Sequence, residues 1–388
     1  MSTTERNVVT VVASMPLRGA AGTIGRDVAR GVRMALEEHG GETGEFRVAV
    51  RLRNASTSHA GASDLLVARN AREAAEDPRT VAYIGEVMSS RSATSMPILN
   101  RAGLVQLSPT NAYVGLTRAE GALADEPARY APAGVATYAR IAPAGHASAS
   151  AAVHWMASLG VQRPMFVEDD THYAHSLSRM AGARLPAAGM ASAGLARTPG
   201  RGARELAAAT ALAAAERAPD AVVYTGVTAS DAAAVLNALA AAVPGVPLFG
   251  FDGIAQPRLT RRLGREARER LHLLDYSIEA EHLGPDGAAF AQRFRARFVH
   301  DPGRFALFGH EAMLVVLDAI TRAGAAGSDR RAVREALLAM PERDSPLGRY
   351  AFDAHGDTTL PHHGGATVTA GGAIVRDRWV DARPPIAG

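Results

Sequence analysis

The sequence alternates short strand-like runs with longer helical patterns, and this alternation limits how the chain can fold more than any other feature. The first third contains four runs rich in β-branched and apolar residues, at residues 8–13, 46–52, 81–84 and 104–107. Apolar residues at helical spacing lie between these runs, near residues 27–38, 62–75 and 92–102. Such an order is typical of βαβ units, so it predicts a parallel sheet with right-handed crossovers and helices on both faces.

The same pattern restarts after a loop rich in Ala, Pro and Gly at residues 121–135. Predicted strands follow at residues 165–168, 221–224, 247–251 and 272–278, with helices near residues 148–159, 175–187, 204–215 and 230–242. Three more helices are predicted near residues 287–298, 306–323 and 329–340, and short strands at residues 349–352, 366–369 and 373–376. A chain of 388 residues exceeds what one core usually supports, so the repeat predicts two doubly wound α/β lobes.

We predict that the chain crosses between the lobes three times. The first lobe is predicted to comprise residues 1–141 plus 272–347, and the second residues 142–271 plus 348–388. The crossings are predicted near residues 140–143, 274–277 and 347–350. Open α/β sheets bind ligands beyond the carboxyl ends of their strands, so loops from both lobes are predicted to face one another across a ligand cleft.

Charge and composition exclude several classes of partner and chemistry. The 42 basic residues are all Arg and face 39 acidic ones, so the net charge of +3 predicts a weak field and no nucleic-acid partner. The chain has no Cys, which excludes disulfides, thiolate catalysis and Cys-ligated zinc. No apolar run approaches the roughly 20 residues needed to span a bilayer. We expect a monomer.

The first residues carry no signal-peptide pattern. The strand-like run begins by residue 8, and neither a basic segment nor an apolar segment stands before it. We therefore expect an extracytoplasmic protein if an export signal was removed from this chain, and a cytoplasmic protein if the chain is complete.

Three glycines, Gly19, Gly22 and Gly25, lie between the first predicted strand and the first predicted helix. Main-chain N–H groups at a helix N-terminus favour an anion, and Arg18 beside them could reach a carboxylate or a phosphate. Alternatively, the glycines only permit a tight turn and Arg18 is a solvated surface residue. The GxxGxxG spacing departs from the GxGxxG dinucleotide fingerprint, so an NAD(P)-dependent enzyme is an alternative that rests on these glycines alone.

Hydroxyl and amide side chains follow the third and fourth predicted strands. Ser89 and Ser90 come after the strand at residues 81–84, where they could bind a ligand or one of them could cap the next helix. The strand at residues 104–107 is followed by a second set of polar groups and main-chain donors, at Ser108, Thr110, Asn111, Ala112 and Tyr113. Because the carboxyl ends of parallel strands lie at one edge of the sheet, the two loops together could cradle a carboxylate.

The order and spacing of several runs resemble the leucine/isoleucine/valine-binding family of the type I periplasmic binding proteins. The longest runs lie at residues 97–103 (PILNRAG) and 108–117 (SPTNAYVGLT). The others lie at residues 83–85, 89–90, 138–143, 168–173, 249–253, 352–353 and 356–357, so the resemblance covers nearly the whole chain. Members of this family are the substrate-binding proteins of branched-chain amino acid ABC transporters, in which two lobes close on the ligand.

The resemblance implies a role for several residues. Ser89 and the main chain at residues 110–112 would bind the α-carboxylate of an amino acid. Tyr173 falls where the family places an aromatic ring of the second lobe against the ligand, and Asp252 takes the place of an acidic residue that pairs with the α-ammonium. Further residues expected to bind the ligand are Ser90, Ser108, Tyr113, Val227, Arg18 and Ile24.

Four positions depart from the family pattern. Ala112 stands where members present a Thr, and Val227 stands where an aromatic residue is expected. Ile24 lies near the position of a missing large aromatic residue, and Ala174 replaces the Gly that usually follows the tyrosine. The resemblance therefore implies an amino acid or a related zwitterion without fixing its side chain.

We predict a non-enzymatic substrate-binding protein of an ABC importer, with a membrane permease as partner and no cofactor. A sensory module of the same fold that controls a signalling partner is the first alternative, and the NAD(P)-dependent enzyme is the second. Neither His310-Glu311 nor His362-His363 has the spacing of a metal site. The basic run at residues 258–270 includes Glu at helical spacing and predicts a solvated helix.

Overall fold

The computed structural model describes residues 7–19, 21–57, 61–198, 203–227 and 231–385, and its chain divides into two units. Unit 1 comprises Met1–Ala119, Ala124–Ala144 and Leu283–Leu360. Unit 2 comprises Glu120–Leu123, Gly145–His282 and Pro361–Gly388. Apart from the short segment Glu120–Leu123, the chain therefore passes from one unit to the other after Ala144, His282 and Leu360.

The main sheet of unit 1 is almost entirely parallel. Its described strands are β1 Asn7–Met15, β2 Glu42–Thr43, β3 Phe46–Asn54, β6 Thr80–Ile84, β7 Val105–Ser108 and β8 Tyr138–Arg140, while β4 Ser56–Thr57 and β5 Gly61–Ala62 form a separate pair. The order across the sheet is β2-β3-β1-β6-β7-β8, with only β2 antiparallel to its neighbour. The helices are α1 Gly22–Glu38, α2 Asp64–Glu76, α3 Ser89–Arg101, α10 Gly284–Phe298, α11 Ala306–Arg322 and α12 Arg330–Leu338.

The sheet of unit 2 repeats this arrangement and adds a hairpin. Its described strands are β9 Pro164–Glu168, β10 Gly194–Arg197, β11 Ala221–Tyr224, β12 Leu248–Phe251, β13 Leu271–Leu274, β14 His362–Val368 and β15 Ile374–Asp381. The order is β10-β9-β11-β12-β13-β14-β15, in which β14 is antiparallel to both of its neighbours, β13 and β15. The helices are α4 Gly145–Ser158, α5 His172–Arg184, α6 Ala203–Arg217, α7 Ala232–Ala242, α8 Pro257–Thr260 and α9 Arg265–Arg270.

Both sheets have the strand order of a doubly wound fold, in which the connections reverse direction at one point. In unit 1 the reversal falls between β1 and β6, and in unit 2 it falls between β9 and β11. Ligands of such sheets bind in the crevice beyond the carboxyl ends of the strands at this point. A ligand site is therefore expected in the loops that follow β6, β7, β9, β11 and β12.

Buried apolar strands and close helix contacts stabilise each unit. Every residue of β6 and β7 is buried, as expected for parallel strands that are covered on both faces. Helices α1 and α11 approach closely, because a Cβ atom on Gly31 would lie only 1.9 Å from the carbonyl oxygen of Ala306. In unit 2, Leu236 and Leu239 of α7 belong to one apolar cluster with Val222 of β11.

The predicted fold class is confirmed, because each unit has a mostly parallel sheet flanked by helices. The sequence patterns miss β10, a four-residue edge strand in which exposed residues alternate with half-buried ones. The predicted strand at residues 349–352 is reduced to isolated bridges. Ser230, predicted near the start of a helix, lies outside the described residues. No helix in the described ranges is both long and apolar enough to cross a membrane.

The division into units differs from the predicted lobe boundaries by short segments. Residues 272–282 lie in unit 2, since β13 pairs with β12 in the second sheet. Residues 348–360 lie in unit 1, where Asp357 bridges to Arg140 at the end of β8. Residues 142–144 also belong to unit 1. Strand pairing sets these limits, and the chain pattern alone does not reveal which sheet a short segment joins.

Candidate functional site

Two loops at the carboxyl edge of the sheet in unit 1 are joined by hydrogen bonds between their residues. The hydroxyl of Ser108 and the amide nitrogen of Asn111 each donate a hydrogen bond of 2.9 Å to the carbonyl oxygen of Glu86. Thr110 donates through its hydroxyl to the carbonyl oxygen of Val87 at 2.8 Å. The side chains of Ser108, Thr110 and Asn111, predicted to bind a ligand, thus hold the loop after β6 against the loop after β7.

Ser89 is the first residue of α3 and lies between the same two loops. Its Oγ accepts a hydrogen bond from the main-chain N–H of Tyr113 at 3.2 Å. The residue that caps the helix is Met88, which has no side-chain capping bond, so neither Ser89 nor the exposed Ser90 is the cap. Because Ser89 Oγ acts as an acceptor here, its own hydrogen can still be donated to another group.

The side chain of Tyr113 is directed to a carboxylate in its own unit. Its phenol donates to Oε2 of Glu126 at 2.6 Å, and the phenol of Tyr130 donates to Oε1 at 2.6 Å. Burial, followed by the bond to Glu126, raises the pKa of Tyr113 above its usual value. At this edge Tyr113 contributes its main chain, and beside it the N–H of Ala112 makes no hydrogen bond to any described residue.

A buried ion pair supports the loop after β7 from beneath, and the sequence patterns did not reveal it. Arg140 Nε donates to Oδ1 of Asp357 at 2.7 Å, and both side chains are 0% exposed. Arg140 Nη1 also donates to the carbonyl oxygen of Tyr113 at 2.7 Å. Arg118 Nε donates to Oδ2 of Asp357 at 2.7 Å, which satisfies the second carboxylate oxygen. The main chain that follows β7 is therefore fixed by buried charged groups.

A second carboxyl group, that of Glu86, is buried at the same edge. The side chain is 1% exposed, and its Oε1 accepts a hydrogen bond of 2.6 Å from the phenol of Tyr83. Burial raises the pKa of Glu86 to about 7, although hydrogen bonds from Tyr83 and Ser14 and the charge of Arg91 oppose this rise. The sequence offered one signal for it, a Glu two residues after a buried strand.

In unit 2, the loops after β11 and β12 and the start of α5 bring three predicted ligand-binding residues together. The phenol of Tyr173 donates to Oδ1 of Asp252 at 2.5 Å. A Cβ atom on Gly253 would lie 3.2 Å from Tyr173 Cε1 and 3.2 Å from Val227 Cγ1, so the ring and the valine flank this glycine. Burial, followed by the charge of Asp252, raises the pKa of Tyr173 well above its usual value.

Asp169 fixes the loop that carries Val227. Its side chain is 3% exposed, and its Oδ2 accepts a hydrogen bond from the main-chain N–H of Val227 at 2.8 Å. Its Oδ1 accepts from the main-chain N–H of Thr171 at 3.0 Å, and Thr171 caps α5 through its own side chain. Asp169 therefore positions Val227 and the first turn of α5, where Tyr173 lies.

A family model described as periplasmic binding protein matches residues 8–370, which is most of the chain. The chain belongs to the periplasmic binding protein family. Its fold resembles that of solved substrate-binding proteins of branched-chain amino acid ABC transporters. Among curated proteins, none matches this sequence.

Three of the similar structures illustrate the range of ligands on this fold. The leucine-binding protein LivK of Thermotoga maritima is 21% identical, with a TM-score of 0.74 over 96% of this chain and 99% of that one. An ABC transporter substrate-binding protein of Desulfitobacterium hafniense in complex with Leu is 16% identical, with a TM-score of 0.76 over 96% and 100%. A solute-binding protein of Rhodopseudomonas palustris (R. palustris) in complex with benzoate is 18% identical, with a TM-score of 0.70 over 98% and 98%. At these identities the likeness establishes the fold.

The glycine-rich stretch of this periplasmic binding protein packs a helix against a strand end. Gly22 and Gly25 lie inside α1, so their predicted place in a loop before the helix is wrong. A Cβ atom on Gly25 would lie 1.9 Å from the carbonyl oxygen of Pro16, which leaves no room for a side chain. This close approach accounts for Gly25 without a bound anion.

Arg18 and Ile24 are the two predicted ligand-binding residues that follow β1. Arg18 is exposed, and its main-chain N–H donates to Ser56 Oγ at 2.9 Å. Ile24 lies half-buried in the first turn of α1. No hydrogen bond between described residues joins the side chain of Arg18 to the loops after β6 and β7, and the hydrocarbon side chain of Ile24 cannot form one, so their part in a site stays a prediction.

The two side chains of the histidine pair His362-His363 lie on opposite faces of a strand, as adjacent strand positions predict. His362 is exposed and His363 is buried on the opposite face of β14, where its Nε2 lies 2.9 Å from Ser148 Oγ. Burial lowers the pKa of His363 to about 4. Within the described ranges, no three His, Asp or Glu side chains are grouped so that they could hold a metal ion.

Proposed function

We propose that this protein captures a small amino acid, or a related zwitterion, for an ABC importer. The observation that carries the proposal is the pair formed by Tyr173 and Asp252 in unit 2, which places a carboxylate at the end of a sheet strand. Parallel α/β sheets bind ligands at that end. A carboxylate held there by a neutral phenol favours a cationic group on the ligand, and an α-ammonium is such a group.

The loops of unit 1 supply hydrogen-bond donors, which favour an anionic group on the ligand. Ser89 has a hydroxyl hydrogen to donate, and the N–H of Ala112 has no partner among the described residues. Both lie close to the N-terminus of α3, a helix of 13 residues, and helix N-termini favour anions. These donors suit the α-carboxylate, so we assign the two charged groups of a zwitterion to different units.

The residues that stand at these positions favour an apolar side chain on the ligand. Val227 stands beside Gly253, and Ala112 and Ile24 replace larger or more polar residues of the family pattern. Asp252 would repel a ligand that carries only a carboxylate, such as the benzoate bound by the Rhodopseudomonas protein. We therefore propose an amino acid with an aliphatic side chain in preference to an aromatic acid.

We propose that the ligand acts by holding the two lobes in a closed arrangement, which a membrane permease then recognises. Ligand-driven closure of two rigid domains is a common mode of switching. This role implies that the protein works outside the cytoplasm, as a monomer, with the permease as its macromolecular partner. A sensory module with the same ligand would close in the same way but bind a signalling protein instead.

A thermal-shift screen tests the ligand class. The probes are the twenty standard L-amino acids, 4-methylpentanoate as leucine without its amine, and benzoate. A ligand at 100 times its Kd stabilises the folded protein by about 2.7 kcal/mol, which such a screen detects. The proposal expects an aliphatic amino acid to stabilise the protein and both amine-free acids to fail. The proposal would be overturned if benzoate alone stabilised the protein, or if none of the amino acids did.

Small-angle scattering tests closure with the best amino acid of that screen. The expected result is a smaller radius of gyration in saturating ligand than in the free protein. An unchanged radius with the ligand bound would show that the ligand does not draw the lobes together.

A further inference from the structure

Glu86 belongs to a buried polar network beneath the carboxyl edge of the sheet in unit 1. Its Oε1 accepts a hydrogen bond from Tyr83, which is 0% exposed, and the hydroxyl of Ser14 near the end of β1 lowers the pKa of the carboxyl group. Asn70 of α2 donates through Nδ2 to Ser14 Oγ at 3.1 Å. The network lies where β1 and β6 adjoin, at the reversal point of the sheet.

No cation pairs with this carboxyl group in the part of the chain that the structure describes. The one charged group that acts on it is Arg91 of α3, whose guanidinium pairs instead with Asp64. The other groups that face it are uncharged, namely Tyr83 of β6 and Ser14 of β1. Burying an unpaired charge is costly, so the neutral carboxyl is favoured and the pKa rises to about 7.

The main chain connects this group directly to the proposed site for the ligand carboxylate. The carbonyl oxygen of Glu86 accepts the two hydrogen bonds from Ser108 and Asn111 that join the loops. Ser89 follows three residues later at the start of α3, and Ala112 lies in the second loop. A ligand carboxylate bound there would share a buried edge with the carboxyl group of Glu86.

We propose that Glu86 couples ligand binding to a proton: the carboxylate of an amino acid binds most tightly when Glu86 is neutral, so binding takes up a proton near neutral pH. Glu86 is then a positioning and charge-setting residue that does not itself touch the ligand. The inference rests on the proposed function, because it needs an anionic group of the ligand at this edge.

The size of the coupling follows from the repulsion of two like charges. For two like charges about 10 Å apart in an effective dielectric constant near 20, such repulsion changes an affinity roughly tenfold. By linkage, the pKa of Glu86 would rise by about one unit on binding, and about half a proton would be taken up at a pH midway between the two values. Affinity would fall roughly tenfold as the pH rises from 6 to 9.

Isothermal titration calorimetry with L-leucine tests this inference. The measurement is made at several pH values in buffers of different ionisation enthalpy, which gives the number of protons taken up. If leucine does not stabilise the protein, the best of the other standard amino acids replaces it. The wild type is expected to take up a fraction of a proton near pH 7.5, whereas Glu86→Gln is expected to take up markedly less and to keep its affinity at pH 9.

Two further variants separate this coupling from a structural effect. Glu311→Gln is the matched control, because Glu311 is 1% exposed and accepts a hydrogen bond from Tyr350 at 2.7 Å, but it is paired with Arg343 at 2.9 Å. It is expected to leave proton uptake unchanged. Tyr83→Phe removes a bond that favours the charged carboxylate, so it is expected to move proton uptake to higher pH.

The outcomes distinguish this inference from the proposed function. Equal proton uptake in the wild type and Glu86→Gln overturns the role of Glu86, even if leucine binds tightly. An equal loss of proton uptake in Glu86→Gln and Glu311→Gln overturns it as well. If no amino acid binds the wild type, the proposed function fails and the inference fails with it.

Discussion

The phenol of Tyr173 donates a hydrogen bond to Oδ1 of Asp252 across 2.5 Å, and this bond orients a carboxylate at the end of β12. Tyr173→Phe keeps the ring but removes the donor. We expect amino acid affinity to fall about tenfold, in keeping with a hydrogen bond to a charged group. Calorimetry measures the affinity of the wild type and of this variant. The control is Tyr350→Phe, which breaks a similar bond of 2.7 Å to Glu311; equal losses in both variants would contradict a specific role for Tyr173.

Ser89→Ala removes a hydroxyl that holds the N–H of Tyr113 and could donate to a ligand carboxylate. We expect a loss of about 1.5 to 3 kcal/mol in binding free energy, and a smaller loss in stability. Calorimetry and a melting curve measure the two effects. Ser63→Ala is the control, because Ser63 stands at the start of α2 and likewise makes no capping bond. A lower melting temperature with unchanged affinity would show that Ser89 only holds the loop.

Gly25→Ala tests whether the glycine-rich stretch packs the fold. The new methyl group would lie 1.9 Å from Pro16 O, so we expect a loss of about 1 to 3 kcal/mol in the free energy of unfolding, or more. The control is Gly182→Ala in α5, where the nearest atom is 3.9 Å away. That change is expected to stabilise by about 0.4 to 1 kcal/mol. Urea unfolding compares them. A stable Gly25→Ala variant that has lost ligand binding would favour an anion-binding loop instead.

Glu86 predicts a pH dependence of stability as well as of binding. Its pKa rises from 4.5 to about 7 on folding. Its contribution to the free energy of unfolding is therefore fully present below pH 4.5 and is lost as the pH rises through 7. The loss is about 3 kcal/mol for a shift of this size. We expect the wild type to lose this much stability relative to Glu86→Gln between pH 4.5 and pH 8. If the free energies of unfolding of the wild type and Glu86→Gln change with pH by the same amount, a raised pKa of Glu86 is excluded.

The sequence predicted the two sheets because alternating strand and helix patterns are local properties of the chain. Strand β11 was predicted at its observed bounds, since four buried apolar residues stand between polar neighbours. Edge strand β10 was missed, because half-exposed residues leave a weaker pattern. The limits of the units differ from the predicted ones because the pairing of β13 depends on residues far apart in sequence.

The candidate site was predicted in part. Resemblance pointed to Tyr173 and Asp252, and the structure brings them within hydrogen-bonding distance. Arg140 and Asp357 also lie in runs that carry the resemblance, but it gave no sign that these residues, 217 positions apart, form a buried ion pair. A single sequence cannot show which Arg and Asp will meet, because 42 basic and 39 acidic residues offer too many combinations.

The most direct test of the central claim is calorimetry on the wild type and Asp252→Asn, with L-leucine and 4-methylpentanoate as ligands, or the corresponding pair for another amino acid hit. The substitution keeps the shape of the side chain and removes its charge. Removing one partner of a buried charge pair costs about 2 to 5 kcal/mol, which is about 30-fold to several thousand-fold in affinity. Asp170→Asn, at an exposed aspartate, is the matched control. Our account predicts that Asp252→Asn loses this affinity for leucine and hardly changes for the amine-free acid. Equal losses for both ligands, or no loss for either, would contradict it.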